Sequence, residues 1–159
     1  MTRRGWSPII CVNQRVDPRK SAISRGYEMS TKLLLVTSDL VLAKAYQARL
    51  TKEGFDVDAC RTGHEGLVRA RGQTPHVMLV DLALPGMTGL DVIKWLRDVP
   101  WLAQVPVVVL IERTVKREVL EECQLWGIAG VLEKDTCSLA EVVARAQACL
   151  RRVAAGSSV

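Results

Sequence analysis

The chain has 159 residues, 48% hydrophobic and 25% charged, with a formal net charge of +5. That length suits one domain with a sizeable core, and the composition excludes a wholly disordered, collagen-like or coiled-coil chain. The longest unbroken apolar run, Val107–Ile111, is far too short to span a bilayer, and no basic segment followed by a long apolar stretch opens the chain, so neither a membrane protein nor a secretory signal is expected.

The charge is unevenly placed. Residues 1–32 carry seven Lys/Arg against Asp17 and Glu28, whereas residues 33–159 carry fifteen basic and fifteen acidic residues. Within residues 1–31, Gly5, Pro8, Pro18 and Gly26 interrupt every apolar stretch. This segment reads as a flexible basic extension, either a solvated tail or an arm for acidic or phosphate-bearing partners. Nucleic acid is not an expected partner except through this leader, because the remainder has no net charge. The periodic region, residues 32–154, reads as one domain, and residues 155–159 as a frayed tail. Five cysteines form no C-x-x-C pair and are odd in number. Neither a disulfide framework nor a zinc site is expected, and a reducing cytoplasm fits.

Leu33–Val36 is a wholly apolar run, the mark of a strand buried on both faces. Leu42, Tyr46 and Leu50, with Ala45 beside them, predict a helix that Gly54 stops. Phe55–Cys60 alternates apolar and acidic residues, as an edge strand does. Thr62-Gly63-His64-Glu65 has capping-box spacing and opens a helix to about Arg71. Val77–Val80 is a second apolar run ending at Asp81. After a loop with Pro85, Gly86 and Gly89, Leu90–Val99 reads as a helix ended by Pro100. Val105–Ile111 is a third buried strand. Thr114–Trp126 reads as a helix, with Val119, Cys123 and Trp126 on one face, and Ile128–Leu132 as a short strand. Ser138-Leu139-Ala140-Glu141 is another capping box, opening a last helix with Leu139, Val142, Val143, Ala146 and Leu150 on its apolar stripe. Strands alternating with helices through short connections imply right-handed crossovers and a parallel α/β sheet covered on both faces. In such sheets ligands and chemistry sit beyond the carboxyl ends of the strands. The strand exits are Thr37-Ser38-Asp39, Asp81, Ile111-Glu112 and Glu133-Lys134-Asp135.

A carboxylate at Asp81 can act as a nucleophile toward phosphorus, forming an acyl phosphate. Lys134 at the last strand exit can offset the charge of an incoming phosphoryl group. With a strand ending in Asp81, Pro85 four residues on, then Met87 and Gly89, and with Gly130-Val131-Leu132-Glu133-Lys134 closing the last strand, the chain from about Lys32 to Arg151 resembles a response regulator receiver domain. The resemblance implies a flavodoxin-like (βα)5 fold, doubly wound, with a five-stranded parallel sheet in the order 2-1-3-4-5. It also implies Asp81 as phosphoacceptor for a histidine kinase and Lys134 as the phosphoryl contact.

The departures from that pattern are specific. The family places two acidic residues after the first strand to hold Mg²⁺, and here those positions are Thr37 and Ser38. Asp39 falls one position later, where a helix N-cap is the expected role. Mg²⁺ binds through hard oxygen donors, chiefly carboxylates, so Asp81 and Asp39 would make at best a weak site. The Thr or Ser that the family carries at the end of the fourth strand is Ile111, and the aromatic of the fifth strand is Val131. The usual Pro after the lysine is Asp135, which could compete for the ammonium of Lys134.

These residues point to a single-domain atypical receiver in phosphorelay-type signalling. It would act by protein–protein contact, with weak or absent phosphorylation, no required cofactor and no enzymatic activity. Expected partners are signalling proteins such as a histidine kinase or phosphotransfer protein, and a homodimer is compatible. An ordinary receiver phosphorylated on Asp81, with Asp39 serving the metal, is the first alternative. A flavodoxin-like cofactor-binding enzyme is the second, disfavoured because no Ser/Thr/Gly-rich phosphate loop follows the first strand. His64 and His76 lack metal-ligand spacing. Trp95, Trp101 and Trp126 read either as partner anchors or as helix-to-sheet packing, with Trp101 the one to test for exposure.

Overall fold

The computed structural model describes residues 30–157. Five strands alternate with five helices: β1 (Thr31–Val36), α1 (Leu40–Lys52), β2 (Phe55–Cys60), α2 (Gly63–Gly72), β3 (Val77–Asp81), α3 (Gly89–Asp98), β4 (Val107–Ile111), α4 (Arg117–Leu125), β5 (Gly130–Glu133) and α5 (Leu139–Ser157). The strands form one sheet in the order β2-β1-β3-β4-β5, and every pairing is parallel.

The apolar runs occupy the interior of this sheet. All five residues of β3 and of β4 are buried, as are Leu33–Val36 of β1. Their side chains alternate between two cores. Leu34, Val36, Met78, Val80, Val107 and Val109 meet α2, α3 and α4 on one face. Leu33, Leu35, Leu79, Val108 and Leu110 meet α1 and α5 on the other. Edge strand β2 buries Phe55 and Cys60 and exposes Asp56 and Asp58, and charged side chains on an edge discourage pairing with another chain.

Several boundaries differ from the sequence reading. β4 starts at Val107 rather than Val105, because Pro106 has no N–H for the ladder and only its carbonyl serves, accepting from Met78 N at 3.0 Å. α4 starts at Arg117, since Thr114 and Val115 form a turn in which Val115 N donates to Glu112 O. On α1, Ala43 rather than Ala45 is buried beside Tyr46 and Leu50. β5 runs Gly130–Glu133, two residues later than its apolar run starts. α5 continues to Ser157, three residues into the tail expected to fray. Cys149 joins its buried stripe while Leu139 is exposed. Trp95 and Trp101 are exposed, and Trp126 packs partly buried against the α2–α4 core.

Both capping boxes place helix starts as expected. Thr62 Oγ1 accepts from Glu65 N, although the Glu65 carboxylate returns to Arg61 N, one residue before the cap. Ser138 and Glu141 satisfy each other reciprocally, at 2.9 and 3.2 Å. A further box, Thr88 with Asp91, starts α3 and has the same spacing. Of the basic extension expected over residues 1–31, residues 1–29 lie outside the described residues, and Thr31 already belongs to β1.

Candidate functional site

The parallel register brings β1 and β3 side by side, with Val36 opposite Val80. The next residue on each strand is then Thr37 and Asp81, and both are buried, each 1% exposed. Thr37 Oγ1 donates to Asp81 Oδ2 at 2.9 Å and accepts from Asp39 N at 3.2 Å. Asp81 Oδ1 accepts from Ala83 N at 2.9 Å. At the exit of β5, Lys134 N donates to Ile111 O at 2.8 Å, which anchors the lysine beside β4. From there its ammonium reaches Asp81 Oδ2 at 2.9 Å. The sheet therefore assembles a buried carboxylate and a nearly buried ammonium from residues 53 positions apart in sequence.

The loop after Asp81 is shaped by two glycines. Gly86 has φ +77, a left-handed backbone. A Cβ on Gly89 would stand 2.4 Å from the Asp81 carbonyl oxygen, so only glycine lets α3 begin against the end of β3. Burial opposes the charge on Lys134, but its hydrogen bond to Asp81 and the charges of Asp81 and Glu112 outweigh that, and its pKa is raised. On the far side of the sheet, burial and a bond to Cys137 Sγ at 3.3 Å raise the Tyr46 phenol above its ordinary range.

The remaining expected residues divide. Ser38 is exposed. Asp39 Oδ1 accepts from Val41 N and Leu42 N, both at 3.0 Å, so its carboxylate caps α1. Ile111 is buried and Val131 partly buried, both in the core beneath α4. Asp135 makes no ion pair with Lys134; the competing carboxylate is Glu112, with Oε2 3.5 Å from Nζ. Glu112 stands at the exit of β4, one of the four strand ends that the sequence marks out, but nothing in the sequence says which neighbour it faces.

The resemblance implies Mg²⁺, and the donor set does not fit it. The pocket offers one buried carboxylate, already accepting from three donors, with the exposed Glu112 facing Lys134 at its rim, and neutral hydroxyls where an acidic pair would stand. Among the described residues, no three His, Cys, Asp or Glu side chains are grouped to hold a metal ion.

Comparison with known proteins agrees with the fold. The family model "Response regulator receiver domain" matches residues 33–147. The chain is 34% identical over 124 residues to the DNA-binding response regulator MtrA of Mycolicibacterium smegmatis, covering 78% of this chain and 52% of that protein. It is 28% identical over 127 residues to the phosphate regulon transcriptional regulatory protein PhoB of Rhizobium meliloti, covering 78% and 54%. The solved chemotaxis response regulator CheY4 of Vibrio cholerae superposes with a TM-score of 0.71 at 24% identity, over 77% of this chain and all of that one. A CheY-like receiver domain protein from Methanospirillum hungatei gives 0.73 at 17% identity, over 78% and 96%. The chain belongs to the response regulator receiver domain family, the receiving module of two-component signalling. It spans about half the length of the curated relatives it matches. Among the described residues no helix is long and apolar enough to cross a membrane.

Proposed function

We propose that this receiver works in phosphorelay-type signalling by contacts with other signalling proteins, such as a histidine kinase or a phosphotransfer protein, and that phosphorylation of Asp81 is weak or absent. The observation that carries the proposal is the occupancy of the Asp81 carboxylate. Oδ2 accepts from both Thr37 and Lys134, and Oδ1 from the backbone of Ala83. An oxygen that attacks phosphorus must give up part of this bonding, and the incoming group is an anion entering a buried pocket. A single ammonium, shared with Glu112, is there to neutralise it. Developing negative charge on a transferring phosphoryl group is normally met by several cations or a metal ion.

The readout side supports the same reading. A phosphoryl group biases a conformational equilibrium only through contacts that differ between two states. Ile111 has no hydrogen-bond donor to offer it, and Val131 has no ring to swing inward.

The test is incubation with a small-molecule phosphodonor and Mg²⁺, followed by intact-mass measurement. The expected result is an unmodified chain, or slow and partial labelling confined to Asp81. Rapid stoichiometric labelling lost in Asp81→Asn would refute the proposal.

A further inference from the structure

The balance of fifteen basic and fifteen acidic residues over positions 33–159 conceals a segregation that appears only once the helices are assigned to faces of the sheet. α1 and α5, together on one face, carry Lys44, Arg49, Lys52, Arg145, Arg151 and Arg152 against Glu141 alone, a net of +5. The three helices of the opposite face carry five basic and six acidic residues, a net of −1.

The two layers also use their cations differently. On the opposite face, Arg69 pairs with Asp58 and Glu65, Lys94 with Glu122, and Arg117 with Glu121. Arg97 there donates to the carbonyls of Trp126, Val105 and Gly127. In the α1/α5 layer only Arg49 is paired, with Glu53 just past the end of α1. Lys44, Lys52, Arg145, Arg151 and Arg152 have no carboxylate within 4.0 Å among the described residues, and Glu141 is engaged at the start of α5 with Ser138. Both helices run back against the direction of the strands. Lys52, Arg151 and Arg152 therefore gather at the end of the sheet where β1 begins.

We propose that the outer surface of the α1/α5 layer binds the phosphate backbone of nucleic acid. Protein interfaces draw their affinity chiefly from buried apolar and aromatic anchors. The large apolar side chains exposed on these two helices, Leu40, Val41 and Leu139, all lie in the first turns, at the opposite end from Lys52, Arg151 and Arg152. Among the described residues, the basic end thus offers no anchor for a protein partner and no wedge for a lipid surface. Unpaired cations spread over two adjacent helices suit a densely charged polyanion, whose binding is driven by release of condensed counterions. Such contacts follow the backbone and carry no sequence preference.

The experiment uses the full chain and a fluorescently labelled DNA duplex of arbitrary sequence, with anisotropy followed across a salt series. Each phosphate contact contributes about 0.9 to the slope of log affinity against log salt. The triple variant Lys52→Gln/Arg151→Gln/Arg152→Gln should lower that slope by roughly 2 to 3 and weaken low-salt binding at least about tenfold. The matched control Arg71→Gln/Lys116→Gln/Arg117→Gln removes the same charge from the opposite face at exposed positions, and should leave affinity within about twofold of the parent, as expected when no phosphate contact is removed. Thermal melts of both variants confirm folding. The proposal fails if the parent does not bind the duplex, if the triple variant binds as the parent does, or if the control weakens binding equally. It also fails if phosphatidylglycerol vesicles or polyglutamate retain the chain where duplex at equal charge does not.

Discussion

Lys134 and Asp81 form the one ion pair of the described residues in which both side chains are largely withdrawn from water, 11% and 1% exposed. Removing one member of such a pair strands the other, which typically costs about 3–5 kcal/mol. Lys134→Met should therefore destabilise the fold by roughly 3 kcal/mol in urea titration, by leaving Asp81 buried without its cation. Because the folded Lys134 has a raised pKa, its contribution is fully present below the ordinary value of 10.5 and is lost as pH rises through the higher folded value. The stability gap between parent and Lys134→Met should hold steady near neutrality and shrink in strongly alkaline buffer as Lys134 loses its proton. A gap unchanged in strongly alkaline buffer would contradict this. The positions of Asp81 and Lys134 were legible in the sequence because each lies at the end of a short strand pattern between helical ones, and the receiver-like motif marks both. The partnership of Thr37 with Asp81 was not, since it depends on which strands lie side by side. Glu112 was missed as the second contact of Lys134 for the same reason, and Asp135, adjacent in sequence, makes no ion pair with it.

Helix starts were the elements read most directly, because a cap and its partner lie three residues apart. Ser138→Ala should destabilise the protein by about 1 kcal/mol in the same urea titration, the usual value for losing an N-cap oxygen, and Ser138→Asp should restore most of it. Gly89 presents a harder constraint. Its missing side chain faces the Asp81 carbonyl oxygen, and backbone cannot rotate aside as a side chain would. Gly89→Ala should cost about 1–3 kcal/mol or more, the range for forced overpacking, and should disturb the Asp81 loop as well as stability. The start of α4 was misplaced because Thr114 and Val115 fit a helical pattern equally well, while a local turn onto Glu112 takes the backbone bond. The onset of β4 shifted because apolar Val105 resembles strand, whereas Pro106 bars the ladder.

For the molecule as a whole, fold class and strand order followed from alternation and from the receiver-like motif, and the observed order agrees. Charge organisation did not follow. A sum over residues 33–159 returns zero, and only the assignment of α1 and α5 to one face reveals a cationic layer opposed to a nearly neutral one. The same assignment separates the two surfaces that the proposals invoke: the strand ends with Asp81 and Lys134, and the basic end of the α1/α5 layer. The central claim is that the Asp81 pocket is balanced by protein side chains and not by a divalent ion. Its most direct test is a calorimetric Mg²⁺ titration of the native chain beside Asp39→Asn, a substitution that preserves the cap on α1 while removing the carboxylate charge that follows β1. The account predicts weak, unsaturated binding that is the same in both. Tight saturable binding that Asp39→Asn abolishes would contradict it.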